Sequence, residues 1–250
     1  MYNPYSLEGK TILITGASSG IGRGIAIECS KMGASVILVG RNAEQLEVTS
    51  HALHGSNHRI LITDISDEHS IQKLAEDCPV IDGFINSAGI PQLIPVPHIN
   101  KDNLSQIIDV NTIGPIVLIS SLLKKKKVAR GASVVFIASI AGIHIAELGG
   151  SSYAATKGAI SGFVKGAALD LASKQIRVNS ICPGLVQTNI LNMAESMFSE
   201  KEIQANINKY PLKQFGTVED IAWGAIYLLS GASKWITGIN LTIDGGYTIL

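Results

Sequence analysis

Cysteine is scarce in this chain: Cys29, Cys78 and Cys182 are the three in 250 residues. An odd, scattered set with no C-x-x-C excludes a disulfide framework and a cysteine-built zinc site, and it suits a reducing compartment. None of the six histidines (His51, His54, His58, His69, His98 and His144) falls at ligand spacing with a carboxylate, so no metal is expected. Charge of either sign is not in excess. Lys plus Arg and Asp plus Glu are 20 each, and this zero balance argues against nucleic acid as a main partner. There is no internal repeat, low-complexity tract or linker. The start, MYNPYSLEGK, lacks the apolar core of a secretory signal, so a cytoplasmic protein is expected.

Long apolar runs are also few, and one needs a membrane test. Residues 107–123 are mostly apolar and run into Lys124, Lys125, Lys126 and Lys127. Asp109, Asn111 and Pro115 interrupt them, and an Asp at mid-bilayer costs about 2.5–3.5 kcal/mol. The stretch is also short of about 20 residues. A helix buried on two faces, one on its own sheet, is the expectation, with no membrane.

What is present is an apolar fraction of 46%, enough to exclude disorder and to fill a sizeable core. Short Ile/Val/Leu runs predict strands over 11–15, 35–40, 59–63, 81–85, 132–138, 176–181 and 238–243. Continuous rather than alternating apolarity marks strands covered on both faces. Helical spacing predicts helices over 20–32, 103–126, 152–173 and 217–229, the last opening on a capping-box-like Thr217. Strand–helix alternation implies an α/β fold: a doubly wound, Rossmann-type parallel sheet of about seven strands in a single domain, residues 1–250. Residues 189–210 break the rhythm, being polar and rich in Met and Asn, and a lid over a ligand is expected there.

Residues 15–22, TGASSGIG, follow an apolar strand and open a helix. Glycines let a backbone turn sharply and approach a phosphate, and the helix N-terminus adds free N–H groups and a positive dipole end. Gly16 would make the turn, Gly20 would admit a pyrophosphate and Gly22 would allow close packing. The second strand ends Val39-Gly40-Arg41-Asn42, with an Arg and no carboxylate. A carboxylate there would bind a ribose 2′-hydroxyl, whereas an Arg forks onto a 2′-phosphate, so NADP(H) is favoured over NAD(H). The competing reading of Arg41 is an ordinary solvated loop cation.

Tyr153 and Lys157 lie four apart on one helix face, and Ser139 ends the preceding strand at the carboxyl edge of the sheet, where such folds bind ligands. With these residues in place the chain resembles the short-chain dehydrogenase/reductase family, of the 250-residue subclass that includes the 3-oxoacyl-carrier-protein reductases. The likeness covers nearly the whole chain. Thr15 to Gly22, with Ser18, Ser19 and Ile21 inside it, resembles the TGxxxGxG turn. Asp64-Ile65 resembles the pair placed against adenine. Asn86-Ser87-Ala88-Gly89 resembles the NNAG motif, with Ser87 a departure. Asn111 resembles the helical Asn of a proton relay, and Ser139, Tyr153 and Lys157 the catalytic trio. Pro183-Gly184, with Val186 and Thr188 following, resembles the segment along the nicotinamide.

The resemblance implies reduction of a ketone by NADPH. Tyr153 would give its proton to the carbonyl oxygen, and Ser139 would orient that oxygen. Lys157 would bind the nicotinamide ribose and lower the Tyr153 pKa, and Asn111 would link Lys157 to solvent through water. It also implies that helices 103–126 and 152–173 meet a twofold mate in a homodimer or homotetramer. Lys124–Lys127, with Lys174, read either as a docking patch for an acidic acyl carrier protein or as a solvated helix end. Residues 140–152 are expected to be a flexible rim, His144 an exposed loop residue, and Trp223 and Trp235 packing residues. A non-catalytic NADP-binding sensor on the same fold is the alternative, although it would have no need of a proton donor.

Overall fold

A computed structural model describes residues 2–188 and 200–249. Seven strands form one parallel sheet: β1 Thr11–Thr15, β2 Ser35–Gly40, β3 Arg59–Ile62, β4 Ile81–Asn86, β5 Val128–Ile137, β6 Arg177–Pro183 and β7 Asn240–Ile243. Their order is β3-β2-β1-β4-β5-β6-β7. The order reverses between β1 and β4, and at such a switch point a crevice opens beyond the carboxyl ends of the strands.

The apolar runs have the expected cause. Successive side chains leave a strand on opposite faces, so both faces of β1 are buried in apolar layers. Leu13 joins Phe84, Phe136 and Val164 on one side, while Ile12 and Ile14 join Ile25, Val135 and Leu229 on the other. The first layer is closed by α3 (Glu68–Asp77), α5 (Gly114–Lys124) and α6 (Ser151–Leu171). The second is closed by α1 (Gly20–Lys31) and α8 (Val218–Leu229), with α2 (Ala43–His51) beside them. The capping box on Thr217 forms, with Asp220 as its partner.

One expectation is refined and two change. The helix expected over 103–126 forms and is continuous from Lys101 to Lys124, as α4 (Lys101–Ile108), a π turn at Asp109–Ile113, and α5. Gly114 lets this helix lie against the β3–α3 loop, because a Cβ there would run into the Ile65 carbonyl oxygen. Its apolarity is explained by Ile107, Leu118, Ile119 and Leu122, which are all buried in the protein. Residues 140–152 are pinned rather than free: Ala141 and Ile145 bridge, and Ile140 and Ala141 are buried. Trp223 is 58% exposed and Trp235 96% exposed, because one faces away from the sheet on α8 and the other sits in the turn before β7. Of the expected lid, 189–199 lies outside the described residues, and 200–210 holds α7 (Glu200–Ile207).

Candidate active site

The glycine-rich turn is built by close approach. Gly16 has φ +67° and Gly20 φ +52°, a region that strongly favours glycine. A Cβ on Gly16 would lie 2.7 Å from the Ala88 nitrogen, and one on Gly22 would strike the Gly16 carbonyl oxygen. The loop therefore folds back onto its own helix and against the end of β4. Ser19 caps α1 with extended backbone but no side-chain bond, and no acid lies in the first turn. The N–H groups of that turn stay open to an anionic ligand.

Two polar ties hold this loop in place. Thr15 Oγ1 donates to Asn86 Oδ1 at 2.8 Å and accepts from the Ala88 N–H at 3.2 Å. Arg23 was not foreseen from the sequence. Its guanidinium donates to the Ser18 carbonyl (2.5 Å), Gln45 Oε1 (2.8 Å) and Thr49 Oγ1 (3.0 Å), binding the loop to α2.

A cavity of about 500 Å³ runs along the carboxyl edge of the sheet. At one end Arg41 Nη1 lies 3.8 Å from Asp64 Oδ2. Partial burial opposes ionisation of Asp64, but two bonds from Ser66 and then the Arg41 charge outweigh it, and the carboxyl titrates below its usual value. Ser18, Ser19, Gly20, Ile21, Gly22, Ile65, Ala88 and Gly89 line the middle. Ser139, Tyr153 and Lys157 line the other end, together with Pro183, Gly184, Val186 and Thr188. The Thr188 methyl would lie 3.5 Å from a Cβ on Gly20, so this segment stands directly over the turn.

Asn42, Asn86 and Asn111 stand behind the cavity wall. Asn42 caps α2 by accepting from the Gln45 N–H at 3.0 Å, and Asn86 is buried as a brace between β1 and β4. Asn111, in the π turn, accepts from the Ile90 N–H (2.8 Å) and donates to the Ile90 carbonyl (3.0 Å) and Thr156 Oγ1 (3.2 Å). A Cβ on Gly89 would lie 3.3 Å from Asn111 Oδ1 and 3.5 Å from Lys157 Nζ. Only a glycine leaves that gap between the two side chains open.

The trio itself is compact. Lys157 is buried, donates from Nζ to the Ile137 carbonyl at 2.9 Å, and sits 5.6 Å from the centre of the Tyr153 ring. Burial lowers its pKa to about 8, against a small opposing effect of Cys182. Ser139 accepts from the Ala141 N–H at 3.0 Å and hydrogen-bonds the Tyr153 hydroxyl. Burial raises the Tyr153 pKa; the Ser139 bond lowers it, and Glu147 raises it further. The lowering expected from Lys157 is not seen: the shift is upward with burial as its largest cause, and the Lys157 Nζ donates to the Ile137 carbonyl.

Away from the cavity, His144 is exposed and lies 3.0 Å from Thr242 Oγ1. Lys125 pairs with Glu76 at 2.9 Å, and Lys127 donates to the Glu76 carbonyl. These lysines precede the first residue of β5, so within one chain they lie at the opposite edge of the sheet from Tyr153. Among the described residues, no group of three His, Cys, Asp or Glu side chains is placed to hold a metal.

A parallel sheet with a phosphate-ready turn at its switch point, and a Ser–Tyr–Lys group in the same cavity, defines a Rossmann-type oxidoreductase. A family profile described as enoyl-(acyl carrier protein) reductase matches residues 16–248. The chain belongs to the short-chain dehydrogenase/reductase family. It is similar to the 3-oxoacyl-[acyl-carrier-protein] reductase FabG of Rickettsia prowazekii, 31% identical over 96% of this chain and 97% of that one. It is also similar to the oxidoreductase YxbG of Bacillus subtilis, at 35% identity over 96% and 91%. Among solved structures, a candidate 2-deoxy-d-gluconate 3-dehydrogenase of Agrobacterium tumefaciens with bound NADP matches all of both chains, with TM-score 0.88 and 29% identity.

Proposed function

We propose that the protein transfers hydride between NADP(H) and a ketone or secondary alcohol, working as an NADPH-dependent carbonyl reductase. The carrying observation is that Ser139, Tyr153 and Lys157 share one cavity with the glycine-rich turn. The cavity suits a dinucleotide: Gly16 and Gly22 sit where a Cβ would clash, and the α1 N-terminus has no side-chain cap. The residues that would hold it are Gly16, Ser18, Ser19, Gly20, Ile21 and Gly22 at the pyrophosphate, with Asp64, Ile65, Ala88 and Gly89 beside the adenosine half. Tyr153, Lys157, Pro183, Gly184, Val186 and Thr188 would hold the nicotinamide half. Asn42 and Asn86 act from behind, by holding α2 and the β4 end. Arg41 would take a 2′-phosphate, which would replace Asp64 as its partner.

When bound, the nicotinamide supplies the hydride chemistry. This chain's residues do the rest. Tyr153 gives its phenolic proton to the substrate carbonyl oxygen, a role that contributes about 10²–10⁴ in rate. Ser139 donates to the same oxygen and steadies its developing charge. Lys157 would hold the nicotinamide ribose, and once drawn off the Ile137 carbonyl its ammonium, 5.6 Å from the centre of the Tyr153 ring, would favour the phenolate. Asn111 would position a water in the gap that Gly89 leaves open, and that water would connect Lys157 to solvent. A hydroxyl pair placed to grip an oxygen favours a carbonyl over an alkene as the group reduced.

The substrate is a small-molecule carbonyl compound, with a 3-oxoacyl thioester on an acyl carrier protein one candidate suggested by the FabG relatives. The protein works in the cytoplasm as a homodimer or homotetramer through the helix formed by α4 and α5 together with α6. Gly162 and Gly166 have open space outside them, and Leu169 is 80% exposed on the same helix. The test is oxidation of NADPH, followed at 340 nm, against a carbonyl panel containing 3-oxoacyl thioesters, sugar ketones, steroid ketones and enoyl thioesters. Tight NADPH binding with no turnover of any ketone would instead favour a non-catalytic NADP-binding sensor.

A further inference from the structure

The chain leaves β6 along the cavity wall from Pro183 to Gln187, and its neighbours hold it there by the main chain. The Ile140 N–H donates to the Pro183 carbonyl at 3.1 Å, and the Gly184 N–H donates to the Ile243 carbonyl, at the end of β7, at 2.9 Å. The Gly216 N–H donates to the Leu185 carbonyl at 3.0 Å, and the Gln187 N–H to the Gly216 carbonyl at 2.8 Å. These are main-chain pairs. The Leu185 N–H is held differently: it donates to the phenolic oxygen of Tyr210 at 3.1 Å. Leu185 lines the cavity between Gly184 and Val186, so a side-chain oxygen fixes a main-chain donor in the cavity wall.

Tyr210 follows α7 and is 5% exposed. Its ring meets the Phe215 ring edge-on, with 5.6 Å between centroids, and the Tyr247 ring at 4.9 Å. The residues after it are pinned to the chain beyond β7: the Leu212 N–H donates to the Gly245 carbonyl at 3.3 Å, and a Cβ on Gly246 would lie 2.9 Å from Pro211 Cγ. A ring packed on two others has little freedom, so its hydroxyl is presented at one place. Without that oxygen the part-buried Leu185 N–H has lost its partner, and the segment has to move to recover one.

We infer that Tyr210 is a positioning residue: its hydroxyl sets the course of Gly184–Val186, and so the place of the nicotinamide end of the cofactor relative to the ketone. This rests on the reading of Pro183, Gly184, Val186 and Thr188 as the wall of the nicotinamide half. The glycine-rich turn follows β1 and Arg41 follows β2, away from these bonds, so the effect of Tyr210 is confined to that half. Hydride transfer is sensitive to such placement, since a misplacement of about 1 Å can cost about 100-fold in rate.

The test uses Tyr210→Phe, which keeps the ring stack and deletes the oxygen, and Tyr210→Leu, which deletes both. Calorimetry gives the affinity and the number of binding sites for NADPH and for 2′,5′-ADP, a fragment with the adenosine phosphates and no nicotinamide. In both variants 2′,5′-ADP should bind as in wild type, and NADPH should weaken about threefold. The kcat per binding site, on the best ketone of the panel, should fall about tenfold. Equal weakening of the two ligands, or an unchanged kcat per site in Tyr210→Phe, would overturn the inference. So would a loss in Tyr210→Leu that Tyr210→Phe does not share, since the rings would then carry it. If wild type binds NADPH but reduces no ketone, the catalytic reading fails and the affinities decide alone: a selective loss of NADPH supports the positioning role, and an unchanged ratio of the two affinities refutes it. A wild type that binds no NADPH refutes both readings.

Discussion

Arg41 offers the most informative perturbation, because its effect separates two cofactors that differ by one phosphate. A charge-assisted bond to phosphate is worth about 1.5–3 kcal/mol, or roughly 10–150-fold in affinity. The structure points to the lower part of that range. Arg41 is 66% exposed at its side chain and already faces Asp64 at 3.8 Å. An exposed pair of that kind contributes about 0–1 kcal/mol, which the phosphate has to displace. Arg41→Ala should therefore weaken NADPH binding about 10–30-fold and barely change NADH. Gly40→Asp adds the opposite bias: a carboxylate that repels the phosphate and accepts from ribose hydroxyls. The backbone accepts it, since a Cβ on Gly40 would meet Leu46 Cδ2 at 3.4 Å, an ordinary contact. The double variant should prefer NADH. The assay is kcat/KM for both cofactors in wild type, Arg41→Ala and Gly40→Asp/Arg41→Ala, repeated at two salt concentrations. A wild type that prefers NADH, or an Arg41→Ala variant that loses both cofactors equally, would refute the reading of this loop.

Tyr153→Phe should keep NADPH binding, measured by fluorescence titration, and lose at least about 100-fold in kcat; a variant retaining a tenth of wild-type kcat means that another group donates the proton. Lys157→Met should raise cofactor KM and lower kcat, yet it should not destabilise the fold at neutral pH. With a folded pKa near 8 against 10.5 when exposed, the buried ammonium is a penalty of roughly 3 kcal/mol below pH 8, relieved as pH rises from 8 to 10.5. Loss of the bond to the Ile137 carbonyl returns about 1 kcal/mol, so the variant's Tm at pH 7 should exceed wild type by a few degrees, and the gain should vanish above pH 10.5. A Tm lower than wild type at pH 7 would show that the bond outweighs the desolvation. Gly166→Arg places a charged side chain on the outer face of α6, where a Cβ has nothing within 4 Å, so it should shift the molecular mass in light scattering toward monomer; an unchanged mass places the interface elsewhere.

The sheet was legible in the sequence because a strand buried on both faces has to be apolar along its length, as in β1, β2, β4, β5 and β6, while the partly exposed edge strands β3 and β7 kept enough Ile and Leu to stand out. The glycine-rich turn was legible for a related reason: only glycine tolerates φ +67° at Gly16, or the contact of Gly22 with the Gly16 carbonyl, so the requirement is written in residue type. Tyr153 and Lys157 could be paired from helix periodicity alone. Tertiary structure decided what depends on distant segments meeting. The π turn at Asn111 and the gap kept by Gly89 come from two segments closing on each other. Arg23 reads as a surface cation in sequence, but it becomes a three-way tie only once α2 lies beside the loop. The direction of the Tyr153 shift followed burial, which pattern does not record. Local residue chemistry thus determined the elements and the turn, while the electrostatics of the site were decided by which groups the fold removes from water and sets side by side.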